Sequence, residues 1–577
     1  MKTRSEIRDN MCIDWNIGIE MDDGLVIRAD VYRPIAEGRY PVIMTYGPYG
    51  KNLAVQEGYT TAWDYIMKRH PDIPYGSTNK YQSWEVVDPE KWISHDYVVI
   101  RVDARGAGCS PGVFERFSKR ELQDYYQCIE WAGTQSWSNG KVGLNGISYY
   151  GANQWLVASL QPPHLAAMCI WEGYSDWYRD SARHGGIMNT FELNWYELQY
   201  QKVQYGRGEN GPRSAVTGEP ACGDVTLPPK TLRENLSHYV DNIIEREMID
   251  DFYKAKLPIF EKITYPLLAA SNWGGPLHCR GTIEGFLRAA SSKKWLEIHG
   301  DAHQVHFYTD YGRNLQKRFF DYFLKGQENG WDKQPKVQLQ VRHVDKFVER
   351  HEDTWPIART LWTKYYLHPE YKLAKEPTRN SGKIEFDAMG DGLTFLSSPF
   401  EQETEITGPM AAKLFISSST TDADLFLVFR LFTPDMHEVT YQGSVDPHTP
   451  VDFGWLRASH RKLDPQLTEF YRPFHTHDEK QPLQPGVPVE LDIELWPTSI
   501  VVPVGYRIGF SIRGKDYQYA KETQIKETHF RGQMLGVGPF RHDDPRDRKP
   551  EIFSGRTTLH IGPDQPDYLL VPVIPSN

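Results

Sequence analysis

Lys141-Val142-Gly143-Leu144-Asn145-Gly146-Ile147-Ser148-Tyr149-Tyr150-Gly151 joins a short apolar run to a segment of helical character at 152–160. A strand that turns sharply into a helix and carries a serine at the turn is a nucleophile elbow, which holds the hydroxyl out at its tip. Glycines belong there because the bend strains the backbone and brings strand and helix close together. Ser148 is therefore the candidate nucleophile, and hydrolysis through an acyl-enzyme is the chemistry expected of it.

Outward from this stretch, the first third of the chain alternates strands and helices. Strands are expected at 25–32, 40–46, 97–102, 142–145 and 166–171, with a helix at 120–134. Such alternation predicts an α/β unit with a mostly parallel sheet covered on both faces. From 176 to 262 the pattern becomes polar, aromatic and helical, broken by the Gly- and Pro-rich stretch 206–229, and is read as a helical cap inserted over the site. The sheet resumes at 265–271 and 294–299, and a last amphipathic helix is expected at 314–324. The α/β unit thus comprises 1–175 and 263–330. A linker at 325–336 leads to short strand-like runs separated by turn residues over 337–577, the pattern of an all-β sandwich such as a jelly roll.

The whole chain narrows the function classes. Its 577 residues exceed one hydrophobic core, so two or three domains are expected. The aromatic share of 13%, with 17 Trp and 33 Tyr, suits large sheets and a ring-lined pocket. The net charge of −11, with no basic run, speaks against nucleic-acid or anionic-membrane partners. No apolar stretch reaches the roughly 18 residues of a membrane span, and the N-terminus lacks the apolar core of a signal peptide. The six cysteines have no paired spacing, so free thiols, a cytoplasmic location and no metal site are expected. The segments 475–478 (His-Thr-His-Asp) and 541–544 (Arg-His-Asp-Asp) resemble metal ligands only loosely and are read as solvated loops. Asp103 to Ser110 carries Gly-x-Gly after a strand without dinucleotide-fingerprint spacing and is read as a tight structural loop.

Ser148 needs a base, and in a hydrolase sheet the histidine follows in chain order. His299 ends a strand and His303 lies in the loop beyond it; the added reach of that loop favours His303. An acid is then needed to orient the imidazole. The preceding strand runs into Asn272-Trp273-Gly274-Gly275, where no carboxylate follows. Glu172, Asp176, Asp301 and Glu284 remain as substitutes, with Glu172 favoured because it follows a strand of the same sheet. Oxyanion donors are expected from the amide of Tyr149 and from the loop Thr45-Tyr46-Gly47-Pro48-Tyr49-Gly50-Lys51, where Tyr49 offers a phenol.

Several of these motifs together resemble the serine hydrolase family of bacterial cocaine esterase, X-prolyl dipeptidyl-peptidase and α-amino-acid ester hydrolase. Asp103 to Gly112 is similar to its Asp-x-Arg-Gly-x-Gly-x-Ser-x-Gly loop, and Trp137 to Gly143 with Gly146-Ile147-Ser148-Tyr149-Tyr150-Gly151 is similar to its elbow. The resemblance spans nearly the whole chain. It implies an α/β-hydrolase domain, an inserted helical cap and a C-terminal jelly roll, with Ser148 as nucleophile, Tyr49 as oxyanion tyrosine and His303 as catalytic histidine. The family's catalytic aspartate falls on Gly275, a departure that leaves the acid open and suggests that His278, in the rebuilt loop, faces the site.

The expected function is cleavage of a small-molecule ester or amide, most simply by a carboxylesterase-type enzyme without a cofactor. Asp176, Trp273 and His278 are the candidate substrate contacts. An X-prolyl aminopeptidase would need carboxylates to grip a free ammonium, a role open to Glu172 and Asp176. A degenerate, ligand- or carbohydrate-binding homologue is the non-catalytic alternative. The sandwich surfaces leave room for a homo-oligomer.

Overall fold

A computed structural model of the chain describes residues 2–520 and 534–575. Two large sheets organise it. The first has eleven strands in the order Arg4–Arg8, Met11–Glu20, Val26–Arg33, Val98–Asp103, Tyr40–Gly47, Ser138–Ile147, Leu165–Trp171, Leu267–Asn272, Lys294–His299, Val337–Arg342 and Phe347–Glu352. The seven strands from Val98–Asp103 to Val337–Arg342 in that order are parallel to their neighbours, and antiparallel strands flank them on both sides. Central strands such as Val-Val-Ile-Arg-Val-Asp over Val98–Asp103 are buried throughout, because helices pack on both faces of a parallel sheet.

The helices start where capping residues allow. Ser118 accepts a bond from the Glu121 amide at the head of Lys119–Gly133, and Thr309 accepts one from the Gly312 amide at the head of Asp310–Lys325. The second helix closes on Gly326 at φ 72°, the left-handed cap that glycine adopts readily. The helix begins four residues before the start expected from apolar spacing, since Asp310 to Arg313 form a polar first turn.

The 176–262 segment is a chain of short helical turns, among them Tyr178–Ala182, Phe191–Trp195 and Tyr239–Glu245, with a two-residue hairpin, Arg183–His184 against Ile187–Met188. The second large sheet holds twelve strands between Leu361 and Ile574. Tyr568–Ile574 pairs with both Leu361–His368 and Thr404–Ser418, which closes the strand path on itself.

Two expectations change. The 337–341 run, assigned from sequence to the C-terminal part, pairs in parallel with Lys294–His299 and so extends the first sheet. Its alternating apolar and polar residues suit either sheet, and only the pairing partner decides. His475, His477 and His542 are not in solvated loops: all three are buried, with His477 Nδ1 3.0 Å from His460 Nδ1 and His542 Nε2 3.0 Å from His184 Nδ1. The C-terminal sheet packs on the cap segment there, and that contact excludes water from residues whose local sequence is polar. Among the described residues, no helix is long and apolar enough to cross a membrane, and all six cysteines are free thiols.

Candidate active site

Ser148 ends the Ser138–Ile147 strand and caps the helix Tyr149–Ala158, at φ 55° and ψ −111°. A non-glycine residue at positive φ is strained and persists only when its surroundings hold it. Here the Ser148 amide donates to the Trp171 carbonyl at 3.0 Å, and the Ser148 carbonyl accepts from the Ala152 amide at 2.7 Å. Helix and neighbouring strand meet backbone to backbone: a Cβ on Gly151 would lie 2.9 Å from Gly173 Cα, and one on Gly146 2.5 Å from Tyr150 Cβ. The glycines of the elbow are required by this approach.

The imidazole on the Ser148 hydroxyl belongs to His278. Its Nε2 lies 3.0 Å from Ser148 Oγ, and the residue is buried at the head of the helix Cys279–Arg288. The His278 carbonyl is tied down by the Thr282 amide at 3.0 Å and the Thr282 hydroxyl at 2.9 Å. His278 Nδ1 makes no hydrogen bond, and its nearest carboxylate is Glu172 Oε2, 3.9 Å away.

His303 turns elsewhere. Its Nδ1 meets Glu172 Oε2 at 2.6 Å and its Nε2 meets Glu85 Oε1 at 2.8 Å, while its ring stacks on that of His278 with centroids 4.8 Å apart and planes 11° apart. The Glu85 carbonyl accepts from the Ile147 amide, so this carboxylate stands beside the elbow itself. Glu172 follows its strand at φ 44° and is fully buried. Its Oε1 accepts from the Gln304 amide at 3.1 Å and faces His299 Nε2 at 3.2 Å. His299 Nδ1 faces Glu297 Oε2 at 2.7 Å. Sequence reasoning placed the second imidazole on the serine; tertiary packing puts it between two carboxylates.

The charges follow from these contacts. Burial works against an imidazolium at His303, but Glu172 and then Glu85 overcome it and raise its pKa to about 10. His299 is raised to about 9 in the same way by Glu297 and Glu172, against burial. His278 is pushed well below the usual imidazole range, first by burial and then by the neighbouring His303 cation. Glu172 stays ionised: burial opposes its charge, but the His303 and His299 rings hold it well below the usual carboxylate range. At neutral pH a neutral imidazole therefore touches the serine, and a cationic one clamps the acid.

Position 275 carries no acid, and the Ser444 side chain lies beside it. A Cβ there would lie 2.0 Å from Ser444 Oγ, on a loop of the C-terminal half, and the Ser444 carbonyl accepts from the His303 amide at 2.8 Å. Tyr49 is buried in the cavity wall, and its hydroxyl accepts from Trp195 Nε1 at 3.0 Å, which leaves the phenolic hydrogen free to donate. Its loop is held by Asp103, whose oxygens accept the Lys51 amide at 2.7 Å and the Cys109 amide at 2.8 Å. Tyr149 opens the helix, so its amide lies in the first turn, where an intrahelical acceptor does not exist. Its side chain points away and donates to Glu121.

The remaining candidates lie outside the cavity. Asp176 is bound by Arg179 at 2.5 Å, Asp301 by Arg69 at 3.0 Å and His70 at 3.1 Å, and Glu284 by Arg472 at 2.8 Å. Trp273 is buried and donates to the Gln340 carbonyl at 2.8 Å. Glu85, Arg116 and Ser444, which the sequence reading missed, do line the cavity. No local pattern marks them, because each arrives from a different segment. The cavity, about 840 Å³ to its open mouth, has aromatic walls that include Trp84, Tyr174, Phe191 and Phe540.

The chain as a whole is similar to known proteins. Residues 23–305 match the model of X-Pro dipeptidyl-peptidase (S15 family), and residues 329–570 that of the X-Pro dipeptidyl-peptidase C-terminal non-catalytic domain. The chain is 22% identical to cocaine esterase of Rhodococcus sp. (strain MB1 Bresler), over 98% of this chain and 99% of that one. A solved CocE/NonD family hydrolase from Staphylococcus aureus superposes with TM-score 0.83 at 29% identity, covering 99% of this chain and 96% of that one. An aminopeptidase from a Thaumarchaeota archaeon of marine sediment shares the fold, with TM-score 0.67 at 15% identity over 100% and 96% of the two chains.

Proposed function

Because the chain belongs to the X-Pro dipeptidyl-peptidase (S15) family of serine hydrolases and carries that family's C-terminal non-catalytic domain, we propose that it is a carboxylesterase-type enzyme acting through Ser148, His278 and Glu172. On this reading the first sheet with its helices is an α/β-hydrolase domain, 176–262 is its cap, and the closed strand path beyond Leu361 is a jelly roll. The observation that carries the assignment is the 3.0 Å contact between Ser148 Oγ and Nε2 of the buried His278.

Ser148 Oγ attacks the ester carbonyl and passes its proton to His278 Nε2. That tautomer carries the other ring hydrogen on Nδ1, facing Glu172 Oε2 at 3.9 Å, so the growing imidazolium meets a carboxylate. The oxyanion is received by the Tyr149 amide and the Tyr49 hydroxyl. Collapse of the tetrahedral adduct breaks the ester C–O bond, and the leaving alcohol takes the proton from His278. Water, deprotonated by the same nitrogen, then releases the acid and returns Ser148. His303, clamped between Glu172 and Glu85, holds the acid in place and suppresses premature protonation of His278.

An aminopeptidase of the X-prolyl type needs carboxylates to grip a substrate ammonium. The charge pattern favours the esterase instead: Glu172 and Glu85 are engaged by histidines and Asp176 by Arg179. Turnover of a 4-nitrophenyl acyl ester against a Gly-Pro anilide separates the two. Fluorophosphonate labelling that disappears in Ser148→Ala checks the nucleophile; labelling that survives points to another serine.

A further inference from the structure

On the wall of the same cavity, Arg116 and Tyr174 form a cluster that the proposed chemistry leaves idle. Arg116 is buried, and its guanidinium lies 4.4 Å from the Trp195 ring centroid and 4.9 Å from that of Phe117. Its charge is matched by Glu192. That carboxylate is itself filled, accepting from Arg116 and the Tyr239 hydroxyl on Oε2, and from Trp177 Nε1 (3.0 Å) and the Ser181 hydroxyl on Oε1.

A guanidinium has five N–H donors. Arg116 Nη1 serves Glu192 and the Tyr239 hydroxyl (2.6 Å), and Nη2 serves the Tyr174 hydroxyl. The Nε hydrogen has no acceptor, and one Nη2 hydrogen is left over. Tyr174 receives a bond from Arg116, and among the described residues no acceptor takes its own hydroxyl hydrogen. A buried donor without an acceptor loses its hydrogen bonds to water and gains none in return, so it calls for an explanation. Tyr174 stacks on His278, with centroids 6.2 Å apart, so these donors stand one side chain away from the imidazole on Ser148.

We propose that Arg116 and Tyr174 form a specificity subsite that receives a neutral oxygen acceptor, such as a ketone, amide or ether oxygen, carried on the acyl group of the substrate. This rests on the reading of Ser148 as nucleophile. The acceptor is neutral because Glu192 already balances Arg116; a carboxylate would add an uncompensated charge to a buried, ring-lined wall. The adjoining rings of Trp195 and Phe191 suit the methylenes that separate such an oxygen from the ester.

The test uses the full chain and three 4-nitrophenyl esters: hexanoate, 5-oxohexanoate and hydrogen glutarate, each corrected for its rate of alkaline hydrolysis. The expected preference in kcat/KM for 5-oxohexanoate over hexanoate is about 10-fold, the worth of one good hydrogen bond. That ratio, taken within one protein and so insensitive to general damage, falls towards one in Tyr174→Phe and in Arg116→Lys. A ratio near one in the unaltered enzyme, with hexanoate turned over normally, overturns the subsite and leaves the nucleophile reading standing. Fastest turnover of the hydrogen glutarate overturns the neutral-acceptor assignment. No turnover of any ester, together with no fluorophosphonate labelling, overturns both readings.

Discussion

Replacing His278 by alanine separates the two stacked imidazoles. His278 Nε2 is 3.0 Å from Ser148 Oγ, whereas both ring nitrogens of His303 are engaged by carboxylates at 2.6 and 2.8 Å. Losing a positioned general base removes about 100- to 10,000-fold in rate, which at about 1.4 kcal/mol per tenfold is roughly 3–5 kcal/mol of transition-state stabilisation. The loss appears in kcat and kcat/KM together, since the proton moves only during reaction. His303→Ala leaves the Ser148–His278 contact but frees Glu172 and Glu85 from their shared cation. Its deficit is expected to be smaller and to include a higher apparent pKa for His278, because a neighbouring positive charge is gone. The assay is stopped-flow acylation by a 4-nitrophenyl ester, with circular dichroism to confirm folding. Near-normal acylation in His278→Ala, alongside an inert but folded His303→Ala, would refute the assignment and return the role of base to His303.

Tyr49→Phe should lower kcat by about 100- to 1000-fold without unfolding the protein, as for the loss of one oxyanion donor; unchanged steady-state rates would remove Tyr49 from the mechanism. Gly275→Asp, which places a carboxylate at the position the family resemblance assigns to the acid, should give no gain in activity and should destabilise by about 1–3 kcal/mol, because its Cβ meets Ser444 Oγ at 2.0 Å and the Ser444 side chain must shift. A raised kcat with an unchanged melting temperature would show that the pocket admits the acid after all. The kcat/KM profile should keep its acid limb below the ordinary imidazole value of 6.5, since His278 is depressed, and fall on the alkaline side near 10 as His303 loses its proton. Stability follows the same cation. His303 is raised in the fold, so its contribution is complete below about 6.5 and is lost as pH rises through about 10. Urea unfolding at pH 6 and pH 10 reads that difference, and a higher midpoint at pH 10 would contradict it.

The elbow was legible because its causes are local. A glycine before the turn, a serine at positive φ and a glycine where helix meets strand are demands of one short backbone segment, and they show in eleven consecutive residues. The parallel core and the strand-rich C-terminal half were legible for a similar reason: period and burial are written along each strand. Glu172 could be favoured as acid because strand ends on one edge of a parallel sheet come together.

The division of labour between His278 and His303 could not be read that way. It depends on which carboxylates surround each ring, and Glu85 and Glu172 come from separate segments of the chain. The neighbour of position 275 is Ser444, far along the chain, which no local pattern could have named. The 337–341 run joins the first sheet because Lys294–His299 offers it an edge, and His475, His477 and His542 are dry because two halves of the molecule close over them. Backbone geometry is a local property and sequence determines it directly; hydrogen-bond partners, protonation states and exclusion of water are set by distant atoms, and only the folded packing decides them.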